Sequence, residues 1–408
     1  MSTDRLDAAL ELELEKLQLE GRAKPRERVI RGYIPPREKS GPRYLLEGST
    51  REFLRMNSNS YLSLSHHPKL ISAADRATHE FGVGPGAVRF IDGTYSYHAD
   101  LEKRIAAFTD KTAAKIFNSA YTANCGLALS ISSPKTYWIG DQLNHNSIIR
   151  AMRIAGVARS NKGIFKHNDM DDLHRCLEEV DSEIERVVII FDGVYSMRGD
   201  TAPIDQINAI AAQYHSRFKD GVITVVDDSH GIGAYGRTGR GTSEYCKAQA
   251  DVIVGTFGKA FGVNGGFIAA TKKITEAVRQ KADTYIYTNP LSVADCAAAT
   301  AALDICDGEE GRALLKNLLA RQDQFRSGLK DRGKETIDGP HPVIPMLVRD
   351  TAKTHDVVNK LYERGILVVG LTFPVVPHGD ESIRFQINAA HKEDDIAFAL
   401  GALDDISA

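Results

Sequence analysis

Three short segments each set reactive side chains directly after a run of apolar residues. VVDDSH places Asp227 and His230 behind residues 222–226, VGTFGKAFG places Thr256 and Lys259 behind residues 252–255, and FDGVYSMRGD places Ser196 behind residues 187–191. Most lysines are solvated surface groups. Lys259 differs because it lies in a glycine-rich and otherwise uncharged stretch, TFGKAFGVNGG. An amine with little water around it has a lowered pKa and can act as a nucleophile or Schiff-base former near neutral pH. Thr256, three residues earlier, can offer a hydroxyl to a phosphate beside it. Asp227 reads either as a helix cap or as the anion that keeps a pyridinium nitrogen protonated, the partner that pyridoxal 5′-phosphate (PLP) needs as an electron sink. His230 alone is equally open to a packing role. A carboxylate, a histidine and a lysine at the strand ends of one sheet favour PLP together.

A competing motif lies in the same region. Gly231, Gly233 and Gly236 spell G-x-G-x-x-G behind a strand, with Asp251 downstream. A dinucleotide fold needs those glycines to open a helix, with the acid at the end of the next strand. Here RTGRGTSEY continues as a Gly- and Arg-rich loop, and Asp251 precedes its strand. A nicotinamide site is therefore the minor reading.

The elements that must position these groups follow from periodicity. From about residue 53 to 290, short apolar runs alternate with helical stretches such as 204–214, the pattern of a mostly parallel sheet covered on both faces. Residues 187–191, 222–226 and 252–255 are its clear strands; residues 114–117 are weaker because Lys115 interrupts them. In such a sheet, ligands bind at the carboxyl ends of the strands. Beyond Pro290, an Ala-rich helix (292–305), a second helix and strand-like pieces at 343–347, 366–369 and 382–387 suggest a smaller α+β domain. Ahead of the sheet, Leu6, Leu10, Leu14 and Leu17 recur at helical spacing behind Ser2 and Thr3 as caps, so this helix is expected to pack on the body or on a partner subunit. Residues 22–42 read as a polar connecting arm. The expected division is 1–52 for helix and arm, 53–290 for the large domain and 291–408 for the small one.

Composition narrows the classes. The 408 residues are 42% hydrophobic and 26% charged, with a net charge of −3. That near-balance gives no electrostatic reason to expect nucleic acid or an anionic membrane as partner. The five cysteines are scattered and form no CxxC pair, so neither a disulfide framework nor a metal site is expected. No apolar run reaches the roughly 18 residues of a membrane span, and a cytoplasmic protein is expected.

Five motifs in register, DDSHGIGAYGRTGRG, GTFGKAFGVNGG, DGVYSMRGDTAP, LNHNSI and FPVVPHGDESIRFQINAAH, resemble the α-oxoamine synthases, PLP enzymes of the aspartate-aminotransferase fold. The resemblance implies an α/β chain of PLP-dependent transferase fold type I, with a mostly parallel seven-stranded sheet in the large domain. It implies that Lys259 holds PLP covalently and removes the substrate α-proton, that Asp227 faces the pyridine nitrogen, and that His230 and Ser196 approach the 3′-oxygen. His145 would stack on the ring. Ser119, Ala120 and Tyr121 would take the phosphate on their backbone N–H groups, helped by Thr256 and by Thr288 from the neighbouring subunit. Arg384 and Asn59 would hold the substrate carboxylate. His98 is assigned a structural role, and His66, His67 and His215 are read as surface or packing residues.

The family's activity implies a homodimer that condenses a small amino acid, glycine first, with an acyl-CoA, acetyl-CoA first. The pattern lies nearest the glycine C-acetyltransferase branch. A different acyl donor, as in the 8-amino-7-oxononanoate and serine palmitoyltransferase branches, or a fold type I aminotransferase, is the alternative. Departures from the family pattern include Ala120, Ser63 and Asn264. Three more, Ser60, Pro85 and Asp92, fall where the acyl thioester is expected to enter.

Overall fold

Runs such as RVVIIFD and VIVGT carry β-branched and apolar side chains at both odd and even positions, so neither strand face tolerates water. In the computed structural model, which describes residues 2–407, these runs lie inside a seven-stranded sheet. Numbered along the chain within that sheet, the strands are β1 (Ala113–Phe117), β2 (Thr136–Asp141), β3 (Lys162–Phe165), β4 (Arg186–Asp192), β5 (Val222–Asp227), β6 (Val252–Thr256) and β7 (Gly266–Ala270). Their spatial order is β1-β7-β6-β5-β4-β2-β3. The pairs β3–β2, β2–β4, β4–β5 and β5–β6 are parallel. β7 runs antiparallel to both β1 and β6.

Strand alternation divides the core between the two faces. Val187, Ile189 and Phe191 of β4 enter one hydrophobic cluster, whereas Val188 and Ile190 enter the other. The register sets Asp192 directly beside Asp227 at the carboxyl edge. Lys115, which broke the apolar pattern of β1, is tied by its Nζ to Glu102 at 2.6 Å. Glu102 also receives Arg89 at 3.1 Å.

The C-terminal part packs Glu309–Asp331, Thr351–Glu363 and Glu393–Ser407 around an antiparallel sheet ordered Val343–Leu347, Ser382–Gln386, Val369–Leu371. Residues 366–369, expected as one strand, divide. Ile366–Leu367 pairs in parallel with Glu52–Arg55 in a separate four-stranded sheet that also holds Ile30–Ile34 and Arg43–Leu46. Within the segment expected to be a connecting arm, residues 30–34 thus form a strand, because a short, half-exposed strand is defined by its backbone partners more than by its pattern.

The first helix, Asp4–Leu19, forms as its leucine spacing predicts, but Thr3 makes no side-chain cap and none of its residues is buried. Leu6 and Leu14 are each 60% exposed, so this helix does not pack on the body. No helix among the described residues is long and apolar enough to cross a membrane.

Candidate active site

Asp227 ends β5 and is 4% exposed. A buried carboxylate needs donors, and it has three. Asn124 Nδ2 donates to Oδ2 at 2.7 Å, while the Ser229 N–H and hydroxyl donate to Oδ1 at 3.1 and 2.5 Å. Asn124 also donates to Ser147 Oγ at 3.0 Å, and Ser147 Oγ lies 2.8 Å from His145 Nδ1. His145 caps the helix Asn146–Ile154, and its N–H donates to Asp192 Oδ2 at 2.7 Å. The residue is exposed on its open side, yet packing around the imidazole lowers its pKa. One continuous set of bonds therefore orients the Asp227 carboxylate and the His145 ring. Asp192, buried beside Asp227, has its pKa raised by burial and by that neighbouring charge.

His230 is 8% exposed. Its Nδ1 lies 2.7 Å from the Tyr61 hydroxyl, and its carbonyl accepts from His341 Nε2 at 3.0 Å. Burial, then the nearby charges of Lys259, His341 and Arg384, drive its pKa well below the ordinary histidine value, so the ring is neutral near pH 7.

Lys259 sits on the hairpin between β6 and β7. Phe257 N–H donates to Gly265 O at 2.9 Å, Val263 N–H to Phe257 O at 3.0 Å and Gly262 N–H to Lys259 O at 3.1 Å, so both ends of this loop are fixed. Burial lowers the Lys259 pKa to about 8 against the opposing pull of Asp227 and Asp192. The charges of Asp227 and Arg384 act on Lys259 through space, and that of Lys259 acts on both His145 and His230. The structure brings these five together.

Arg384 projects from the strand Ser382–Gln386. Its Nη1 donates to Ser196 O at 2.9 Å, whereas its buried Nε has no partner. Ser196 is thus tied to Arg384 through its carbonyl. Asn59 accepts from Gln386 Nε2 and from the Tyr61 hydroxyl, which places it beside the strand of Arg384 and one contact from His230.

Ser119 caps the helix Ala120–Ile131 through a reciprocal pairing with Thr122, leaving the Ala120 and Tyr121 N–H groups without intrahelical acceptors. A Cβ on Gly266 would run into the Ser119–Ala120 peptide, so glycine at the start of β7 lets that helix end abut the sheet. Thr256 gives its hydroxyl hydrogen to Gly265 O at 2.9 Å, a use within the hairpin. Thr288 Oγ1 stands 3.4 Å from Asn118 Nδ2 of its own chain, next to the capped helix end.

The glycine-rich decoy surrounds a carboxylate of this chain. Thr242 N–H and Oγ1 donate to Asp228 at 2.9 and 2.5 Å, and a Cβ on Gly231 or Gly241 would collide with that carboxylate. These glycines close on Asp228 and open no helix for a dinucleotide. Burial raises the Asp228 pKa to about 7, even with the Thr242 bonds pulling the other way. His98 is fully buried and joins Tyr95 N–H at 2.9 Å to Leu291 O at 2.7 Å. His66 stacks on Tyr33, His67 pairs with Glu310, and His215 lies against Val222. Ser63 holds a left-handed φ of 58°, offset by Ala390 N–H donating to its hydroxyl at 3.2 Å.

Sequence reading missed Asn124, Ser147, Tyr61 and His341. Asn124 alone carried a local signal, an amide one turn inside the helix that Ser119 caps; the others become site residues only through folding. Together the site offers a seated carboxylate, a flat ring face, an amine of lowered pKa, free helix-end N–H groups and a guanidinium edge.

Residues 51–403 match the family model described as aminotransferase class I and II. The 8-amino-7-oxononanoate synthase of Geotalea daltonii is 38% identical over 363 residues, covering 88% of this chain and 90% of that protein. The mitochondrial 2-amino-3-ketobutyrate coenzyme A ligase of Bos taurus is 36% identical over 395 residues, covering 96% and 90%. Among solved structures, the serine palmitoyltransferase of Sphingomonas wittichii superposes with a TM-score of 0.86 at 26% identity, covering 100% of this chain and 97% of that one.

Proposed function

We propose, because the chain belongs to the α-oxoamine synthases within the aminotransferase class I and II family, that it joins glycine to acetyl-CoA and releases CoA. Its cofactor is PLP, the group named in a solved serine palmitoyltransferase similar to it. The donor set fits that group. Lys259 would hold it, the seated Asp227 would face its ring nitrogen, the exposed His145 ring would cover its face, and His230 and Ser196 would flank its 3′-oxygen. The free N–H groups of Ala120 and Tyr121, with the Ser119 cap and Thr256 beside them and Thr288 supplied by a neighbouring subunit, would receive its phosphate at a helix start. When bound, PLP withdraws electron density from the amino acid's α-carbon.

The protein's own groups then divide the work. Arg384 binds the amino acid's carboxylate through its free Nε edge, a charge-assisted and two-pronged contact, with Asn59 beside it. Lys259, with a pKa of about 8, takes the α-proton, a general-base role worth roughly 10²–10⁴-fold. The electron pair left on the α-carbon forms the new bond to the thioester carbonyl. The C–S bond breaks, and the proton on Lys259 Nζ is available to the departing thiolate. Neutral His230, held by Tyr61 and His341, adds no positive charge near the amine. Asp227 keeps its carboxylate fixed by Asn124 and Ser229 throughout.

The observation that carries this reading is the buried, unpartnered Arg384 Nε in one site with Lys259 and Asp227. Glycine and acetyl-CoA are favoured because the 2-amino-3-ketobutyrate ligase aligns over 395 residues and 96% of this chain, against 363 and 88% for the 8-amino-7-oxononanoate synthase. That product is a glycine skeleton bearing an acetyl group. A second reading, a longer acyl donor, draws on the 38% identity of the oxononanoate synthase and on Ser60, Pro85 and Asp92. Free-thiol release from the PLP-loaded enzyme, across glycine, alanine and serine with donors from acetyl-CoA to palmitoyl-CoA, tests both. Fastest release with glycine and acetyl-CoA is expected. No thiol with any pair, alongside amino-group transfer to a keto acid, would overturn condensation in favour of an aminotransferase. The pair of subunits expected for the fold is likewise proposed, and sedimentation of the purified protein tests it.

A further inference from the structure

Behind the site, one imidazole joins two carboxylates from different elements. His167 Nδ1 lies 3.2 Å from each oxygen of Asp141, and Nε2 lies 3.1 Å from Asp200 Oδ2. Asp141 ends β2; its side chain is fully buried and also accepts the Leu143 and Asn168 N–H groups at 2.8 and 3.0 Å. Asp200 lies at the base of a tight turn that follows β4. Val194 and Thr201 form an antiparallel bridge, Tyr195 N–H donates to Asp200 O at 3.0 Å, and Arg198 and Gly199 N–H donate to Tyr195 O at 3.1 and 2.8 Å. Ser196 lies in that turn, and its carbonyl receives Arg384 Nη1.

The groups facing His167 are Asp141, Asp200, the edge-on Tyr195 ring at 4.3 Å and the Asn168 amide, with Arg198 Nε donating to the same Asp200 oxygen at 2.7 Å. An imidazole between two carboxylates must donate from both nitrogens, so it carries a positive charge. Burial works against that charge, but the bonds and charges of Asp141 and Asp200 prevail and raise the pKa to about 9. Without the bridge, the fully buried Asp141 would lose the cation it is paired with, which is costly.

We propose that His167 is a positioning residue: by bridging Asp141 to Asp200 it holds the 194–201 turn so that the Ser196 carbonyl fixes the Arg384 guanidinium for the amino-acid carboxylate. This rests on the assignment of Arg384 above. It predicts a defect confined to the amino acid, because nothing in the bridge touches the amine or the ring carboxylate.

The test compares His167→Gln, Asp200→Asn and Arg384→Lys, singly and combined, by amino-acid binding to the PLP-loaded enzyme and by the two KM values. His167→Gln is expected to weaken glycine about tenfold, the loss of one charge-assisted bond, with acyl-CoA KM unchanged. Asp200→Asn, whose backbone bonds persist, should shift it in the same direction by less. In the Arg384→Lys background His167→Gln should add little, since residues acting through one contact are not additive. In ¹⁵N-histidine spectra of the wild type, His167 should keep both protons up to about pH 9. Additive losses, equal rises in both KM values, or unchanged glycine affinity in folded His167→Gln would overturn the proposal; if that variant does not fold, the glycine affinity of Asp200→Asn decides between the outcomes. A wild type that binds no amino acid would instead refute the assigned reaction.

Discussion

A lysine whose pKa is lowered to about 8 is half neutral at a pH where a free lysine, at roughly 10.4, is almost wholly protonated. PLP capture by the apoenzyme should therefore quicken about tenfold per pH unit below about 8 and level off above it, as stopped-flow absorbance can record; continued acceleration toward pH 10 would show an ordinary amine. The same shift has a stability sign. Between about 8 and the unfolded value of ~10.4 the unfolded chain binds the extra proton, so the native state gains stability as pH rises through that window. Lys259→Ala should lose the visible band of bound PLP, with thiol release lowered by ~10²–10⁴-fold. Arg384→Lys should raise the amino-acid KM by about ten- to a hundredfold and leave the acyl-CoA KM alone, because an ammonium cannot make the two-pronged contact. Lys259, Asp227 and His230 were legible in the sequence because each follows an apolar strand. Their supports were not: the contacts from Asn124 to Asp227, Tyr61 to His230 and His341 to His230 span 103, 169 and 111 positions, and no local pattern records such a pairing.

At the scale of elements, the glycine-rich loop after β5 depends on a carboxylate with no room to spare. Gly241 combines a φ of +82° with a Cβ direction that points at Asp228. Gly241→Ala should lower thermal stability by roughly 1–3 kcal/mol and loosen the turn that carries His230, visible as a lowered Tm and weaker PLP retention; a Tm equal to wild type would show that the loop relaxes at no cost. Strands β4, β5 and β6 could be read because they are long and apolar on both faces. The split at 366–369 could not, since Ile366 and Leu367 look alike whichever sheet they join, and only the backbone of Glu52–Arg55 decides. Residues 30–34 escaped notice for the same reason: IRGYI is half exposed and lacks the alternation that marks a strand.

Across the whole molecule, the site lies on the seam between the large sheet and the C-terminal sheet. Arg384 reaches Ser196, His341 reaches His230, and Gln386 N–H and Ala389 N–H donate to Met56 O and Tyr61 O at 2.9 and 2.7 Å. On the proposed assignment the substrate carboxylate would meet Arg384 on one body and the amine would lie on the other, so relative movement of the two would be felt first as amino-acid affinity. His341→Leu should then weaken glycine binding and lower Tm together, as calorimetry with and without glycine can establish. The pinned hairpin between β6 and β7 has a kinetic consequence. If Lys259 holds the cofactor as proposed, it gains from a stationary anchor, because its amine is confined to the small volume its own four carbons can sweep. Return of the amine to the site would then be a first-order event at a very high effective concentration.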